Sequence, residues 1–268
     1  MENGNFWFAF GLTLFAGLST GIGSALAFFT KSTSTRFLSI SLGFSAGVMV
    51  YVSFFEILPK ARQALIPGFG EQGAAWYSVL AFFVGIFIIA LIDRLIPSQE
   101  NPHEIKRVED VAKNVQKDAR LVRMGMFTAL AIGIHNFPEG IATFMAGLSD
   151  RTIAIPIAVA IAIHNIPEGI AISVPISYGT GSKKKGFYLS FLSGLAEPIG
   201  ALLAWFILMP FLNDNLFGLI FAAVAGIMVF ISIDELLPTA REYGLHHHAV
   251  YGFVAGMAIM ALSLLLFI

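Results

Sequence analysis

AGVMVYVSFFEILPKAR, residues 46–62, returns as AGIMVFISIDELLPTAR at residues 225–241, with ten of seventeen positions identical at an offset of 179 residues. Both copies are apolar runs with carboxylates embedded in them. They belong to a chain of 268 residues that is 57% hydrophobic and only 12% charged, with a mean hydropathy of +0.80. A soluble domain of that length needs more charge to cover its surface, whereas a bilayer accepts apolar side chains all round a helix. The sequence therefore predicts an all-α, polytopic membrane protein. Strands of a membrane barrel would alternate polar and apolar residues, and these stretches do not. No basic patch offers a nucleic acid a footing. With no cysteine there is neither a disulfide framework nor a thiolate metal site. The N-terminal stretch lacks a basic leader and a small-residue cleavage pattern, so it reads as a first span rather than a signal peptide.

Working outward from the repeat, eight stretches long enough to cross a bilayer can be marked, covering 5–29, 36–58, 75–96, 121–147, 152–178, 187–211, 215–238 and 248–268. The repeated segments fall on spans 2 and 7. An odd number of crossings separates them, so they run in opposite directions. The predicted architecture is 3+2+3, with spans 1–3 and 6–8 as inverted repeats and spans 4 and 5 exchanging places about the same in-plane axis. Many secondary transporters use such symmetry to build alternating access around a midplane site. Residues 97–120, with five basic and five acidic side chains, read as a flexible cytosolic loop between spans 3 and 4 inside a single transport domain, 1–268. If the N-terminus lies outside, thirteen Lys and Arg residues fall on the cytosolic side and only Lys60, Arg62 and Arg151 outside, which predicts N- and C-termini outside the cytosol. The run Lys183, Lys184, Lys185 fixes orientation and touches anionic lipid.

The central pair of spans carries a second repeat, HNFPEG at 135–140 and HNIPEG at 164–169. Each helical residue turns about 100°, so His135, Asn136 and Glu139 point to one side of span 4, and His164, Asn165 and Glu168 to one side of span 5. Pro138 and Pro167 have no N–H for the carbonyls of Ile134 and Ile163, and an unpaired carbonyl at membrane depth must meet protein, water or an ion. Span 6 repeats the pairing of Glu with Pro at Glu197 and Pro198. Within the spans lie Glu56, Glu139, Glu168, Glu197, Asp234 and Glu235, yet no Lys or Arg at comparable depth. A buried membrane charge costs at least ~2.5–3.5 kcal/mol and normally finds an opposite charge. Protons or bound cations must supply it here. Imidazole beside carboxylate favours Zn²⁺, Fe²⁺, Co²⁺ and Mn²⁺ over Mg²⁺ or Ca²⁺, and Glu139 with Glu168 could bridge two metals. The lack of thiolate argues against a closed structural zinc site.

Two HN-x-PEG motifs on the fourth and fifth of eight spans resemble the ZIP (Zrt/Irt-like) family of divalent metal transporters, most closely its bacterial ZupT-like branch. The resemblance covers essentially the whole chain, including the inverted repeats and Glu197. It implies one metal position from His135, Glu139, His164 and Glu168, and a neighbouring one from Asn136, Glu139, Asn165, Glu168 and Glu197. Met49 and Glu56 on span 2 match positions near the transport path, with Asp234 and Glu235 at the corresponding part of span 7. Several relatives carry Gln and Asp at the positions of His164 and Asn165, so metal preference does not carry over. The resemblance also implies import of Zn²⁺, with Fe²⁺, Mn²⁺ and Co²⁺ accepted too, across a bacterial inner membrane. The metal is cargo and no prosthetic group is implied. The partners are divalent cations, the lipid bilayer and, in a homodimer, a second copy. His246, His247 and His248 fall in the short inner turn before span 8, where a solvated turn competes with a role in metal release. Two alternatives to a carrier remain: a metal-selective channel, which shares the site, and a membrane-embedded metallohydrolase. The latter needs a retained metal and an activated water with a general base, and the chain has no HExxH pattern.

Overall fold

The computed structural model describes residues 3–29, 35–95, 119–149, 151–211, 213–243 and 246–266. Among the described residues every regular element is helical. In chain order these are α1 (Asn3–Phe29), α2 (Thr35–Val52), α3 (Leu58–Leu95), α4 (Ala119–Ser149), α5 (Arg151–Thr180), α6 (Lys183–Gly194), α7 (Ala196–Leu203), α8 (Asp214–Ile231), α9 (Leu237–Tyr243) and α10 (His246–Leu266). All but the last two residues of the expected loop 97–120 lie outside the described residues.

Among the described residues, six segments are long and apolar enough to cross a membrane: 5–26, 39–94, 154–174, 183–211, 214–241 and 247–266. The second is 56 residues long, roughly 80 Å of helix against a hydrocarbon thickness of ~30 Å. It bends at Gly70, whose φ of 68° lies in the left-handed region open to glycine. α4 adds a 31-residue helix. The protein is thus an all-α polytopic membrane protein. The three histidines expected in a turn before the last span instead open the first turn of α10.

The repeat read from the sequence is also a repeat of unusual local structure. A π-helical turn spans Ser53–Ile57 after α2, and another spans Ser232–Leu236 after α8, at the same 179-residue offset. In each, the following leucine, Leu58 or Leu237, donates its N–H five residues back, to Ser53 O and Ser232 O. In each, the serine hydroxyl donates to a methionine carbonyl at 2.7 Å, Met49 or Met228. Pro59 and Pro238 follow directly. A proline ring clashes with the carbonyl four residues earlier, and widening the turn relieves that clash. A third π turn, Ala204–Leu208, stands at the same spacing before Pro210.

Helix packing divides the molecule along a different line from the repeats. α2 packs most extensively on α10, and α3 on α8, which are symmetry-related pairs. α1 packs on α5, α5 on α4, and α4 on α7. One bundle therefore contains α1 and α4–α7, and the other contains α2, α3 and α8–α10. Glycines set the distances inside each bundle. A Cβ on Gly47 or Gly256 would clash with the carbonyls of Phe253 or Phe44, and one on Gly226 with that of Phe82. In the first bundle, Gly23 faces the Ile166 carbonyl and Gly200 the Phe137 carbonyl just as closely. Small residues let helix backbones approach where lipid supplies no hydrophobic driving force between them. The seam between bundles, chiefly α2 on α5 and α4 on α8, is thinner.

Candidate metal centre

α4 and α5 each run unbroken through the proline of their motif. All seven residues of the motif cluster, His135, Asn136, Glu139, His164, Asn165, Glu168 and Glu197, are at most 1% exposed. Because the two helices are antiparallel, each imidazole meets the carboxylate of the other motif. His164 Nε2 lies 3.2 Å from Glu139 Oε2, and His135 Nε2 lies 3.5 Å from Glu168 Oε2. The 3.5 Å contact is an ion-pair distance rather than an aligned hydrogen bond.

The asparagines are anchored by matching backbone groups. Asn136 Nδ2 donates to the Ser193 carbonyl at 3.4 Å, and Asn165 Nδ2 to the Ala16 carbonyl at 3.0 Å. Ala16 and Ser193 are 177 residues apart, the offset that aligns Gly17, Leu18, Ile22 and Gly23 of α1 with Gly194, Leu195, Ile199 and Gly200. Asn165 Nδ2 also donates to Glu197 Oε1. Glu197 reaches it from the first turn of α7, beyond the break between α6 and α7 at Leu195. Gly140 leaves room for the Glu197 backbone.

Glu235, from the π turn after α8, brings a further carboxylate to 3.8 Å from His135 Nδ1. Its repeat partner Glu56 is half-buried, and His164 Nδ1 has no such contact among the described residues. Met49 is fully buried in α2, and Asp234 is exposed. The structure brings together the motif residues and Glu197, which the sequence pattern groups, whereas the contact of Glu235 with His135 is not among the sequence readings. The pattern also misses the two anchoring carbonyls and the crossed pairing, although the antiparallel direction of the two motifs carries that signal.

Chemically the cluster holds three fully buried glutamates and two imidazoles, and among the described residues no Lys or Arg is buried. Nine nitrogen and oxygen atoms of its seven side chains are buried without a hydrogen-bond partner. Each such atom costs about 1–3 kcal/mol unless something binds it. Imidazole nitrogens, carboxylate oxygens and amide oxygens suit a divalent transition metal. No three His, Asp or Glu side chains among the described residues are already closed into a metal cage.

At the seam between bundles, a cavity of about 500 Å³ is lined by Lys60 and Gln63 of α3, Ser149 of α4, and Asp214, Phe217 and Phe221 of α8.

The family model described as ZIP Zinc transporter matches residues 94–264. The chain is 65% identical over 260 residues to a protein of Streptococcus mutans named Zinc transporter ZupT, covering 97% of each chain. It is 60% identical over 266 residues to a protein of that name from Chlorobium chlorochromatii, covering 98% of each. A Clostridium perfringens protein of the same name is 56% identical over 277 residues, covering 98% of this chain and 97% of its own.

Proposed function

We propose, on the premise that the chain belongs to the ZIP zinc transporter family, that it imports Zn²⁺ through the site built by α4, α5 and α7, and accepts Fe²⁺, Mn²⁺ and Co²⁺ there as well. The family is one of transporters, not enzymes. The observation that carries the site is the fully buried set of three glutamates and two histidines, with no buried Lys or Arg among the described residues to balance it. A dication balances it, taking His135, Glu139, His164 and Glu168 as one set of ligands and Asn136, Asn165 and Glu197 with the shared glutamates as the next.

Eight crossings, with both termini outside the cytosol of a bacterial inner membrane, fit the 56-residue bent segment counted as two and α4 counted as one. The whole chain then acts as one transport domain, alone or as a homodimer. The site rides on the bundle of α1 and α4–α7. Every tight glycine contact with backbone among the described residues lies within a bundle, not across the seam, so the two bundles can slide past one another as units. The seam cavity and Asp214 serve the outer approach, Met49 and Glu56 line the path, and Glu235 with Asp234 receives the ion on the inner side. His246, His247 and His248 contribute nothing essential.

Uptake of labelled Zn²⁺ into proteoliposomes tests this directly. The native chain gives saturable uptake, whereas a channel gives flux that grows with concentration. Glu139→Ala and Glu168→Ala each abolish it, and unchanged uptake in both would show that the site lies elsewhere. Lowering the pH weakens uptake, because metal and proton compete for the same lone pairs.

A further inference from the structure

The 177-residue offset between α1 and the α6–α7 pair places Thr20 opposite Glu197 in the repeat. The structural equivalence extends through the neighbouring residues. The carbonyls of Thr20 and Glu197 face Gly169 and Gly140, where a Cβ would clash with each. Ala16 and Ser193, four residues before Thr20 and Glu197, hold the amides of Asn165 and Asn136. Thr20 thus occupies, from α1, the seat that Glu197 occupies from α7.

Its side chain is fully buried, and its hydroxyl oxygen has no hydrogen-bond partner. It lies against Gly194, where a Cβ would sit 2.9 Å from Thr20 Oγ1. Gly194 adjoins Ser193, whose carbonyl anchors Asn136, and the amide oxygen Asn136 Oδ1 is likewise buried and unpartnered. On the same face of α1, Gly17 packs against the Glu197 side chain. A buried hydroxyl without a partner is costly and marks a ligand or a solvated atom.

We propose that Thr20 is a specificity-determining residue of the metal site: its hydroxyl supplies a neutral oxygen to the Asn136, Asn165 and Glu197 position from the side opposite Glu197. This rests on the reading of α4, α5 and α7 as the site. It adds a further neutral oxygen to a position already lined by oxygens alone, which suits Mn²⁺, while the two imidazoles beside it suit Zn²⁺. Threonine in this seat adds no charge to the three carboxylates of that position, Glu139, Glu168 and Glu197, where a glutamate would add a fourth. That leaves the ion weakly enough held to depart.

The test measures labelled Zn²⁺ uptake in proteoliposomes, and the Mn²⁺ concentration that halves it, for the native chain, Thr20→Val, Thr20→Ser and Glu139→Ala. Thr20→Val keeps the shape and removes the hydroxyl. It raises the half-inhibiting Mn²⁺ concentration roughly fivefold, the size of one lost hydrogen bond, with little change in the KM for Zn²⁺. Thr20→Ser restores the native value. A Thr20→Val protein with native Mn²⁺ inhibition overturns the proposal, as does a Thr20→Ser protein shifted as far as Thr20→Val, which would assign Thr20 to packing alone. A native chain that Mn²⁺ does not inhibit at any concentration overturns it too. If Glu139→Ala transports normally, the reading of the site itself fails, and that outcome is distinct from these.

Discussion

The two halves of the inverted repeat share a scaffold and differ in charge. Ser53 and Ser232 make the same hydrogen bond, the same π turn precedes Pro59 and Pro238, and Gly23 and Gly200 seat the carbonyls of Ile166 and Phe137 alike. Against that sameness stand substitutions of charge, among them Lys60 against Thr239. Glu197 in one half answers Thr20 in the other, and Asp234 beside Glu235 answers Phe55 beside Glu56. Backbone geometry has to be twofold for the two bundles to fit each other in either direction. Charge does not, on the proposed one-way import. Outside α4 and α5, whose matched pairs form the candidate site itself, the shared positions of the two halves serve packing and the differing ones change the charge around that site.

The centre of the molecule, where the twofold axis passes, breaks this comparison if it behaves asymmetrically. His135→Ala and His164→Ala each remove one imidazole and strand the opposite carboxylate. Each is expected to lower Zn²⁺ uptake by about 10- to 100-fold, the range seen when a metal site loses a supporting group. The two losses should agree within about threefold. A tenfold disagreement would mean that one histidine alone binds the ion.

Glu197→Gln sharpens the comparison, since it leaves an oxygen and the Asn165 contact while deleting the charge that distinguishes the halves. Uptake should fall about fivefold, less than in either histidine variant, with Zn²⁺ binding in detergent weakened by a similar factor, consistent with ~1 kcal/mol. A fall as deep as that of the histidine variants would place Glu197 on the axis in function, though not in structure.

Matched losses of stability are expected from Gly23→Ala and Gly200→Ala. Both put a methyl group against a backbone carbonyl of the partner helix, and overpacking of this kind costs about 1–3 kcal/mol. Thermal unfolding in detergent should show equal downward shifts for the two. A large difference would mean that only one of these interfaces is as tight as the symmetry requires.

Much of this was legible in the chain. The membrane class comes from composition, the inverted repeat from the 179-residue echo, and the cluster from the doubled motif. Hidden were the features that depend on how helices lie side by side. The 177-residue echo between α1 and residues 180–206 matches ten of the 27 positions of α1, all of them glycine or apolar residues that the chain uses throughout. It becomes visible only once their carbonyl and glycine contacts are seen. The split into two bundles is hidden for the same reason, because each bundle draws helices from both repeats. The π turns had a signal, a proline two residues beyond each, but a proline at a helix kink looks the same in sequence.

The smallest effects are expected at the outer edge of the comparison, in the two π turns. Glu235 stands 3.8 Å from His135 Nδ1, whereas His164 Nδ1 has no counterpart contact among the described residues. One turn along, Lys60 follows Glu56 on the same helical face, while the equivalent position after Glu235 is Thr239. A lysine four residues away competes with any visiting cation for the carboxylate, and a threonine does not. Glu235→Gln should therefore lower the rate of Zn²⁺ uptake about two- to fivefold, the scale of one modest charge pair, and Glu56→Gln by less than twofold. Lys60→Thr gives the first turn the composition of the second, and in that background Glu56→Gln should cost as much as Glu235→Gln does in the native chain. If Glu56→Gln stays silent there, the difference lies in the position of the turn and not in the charge that neutralises it.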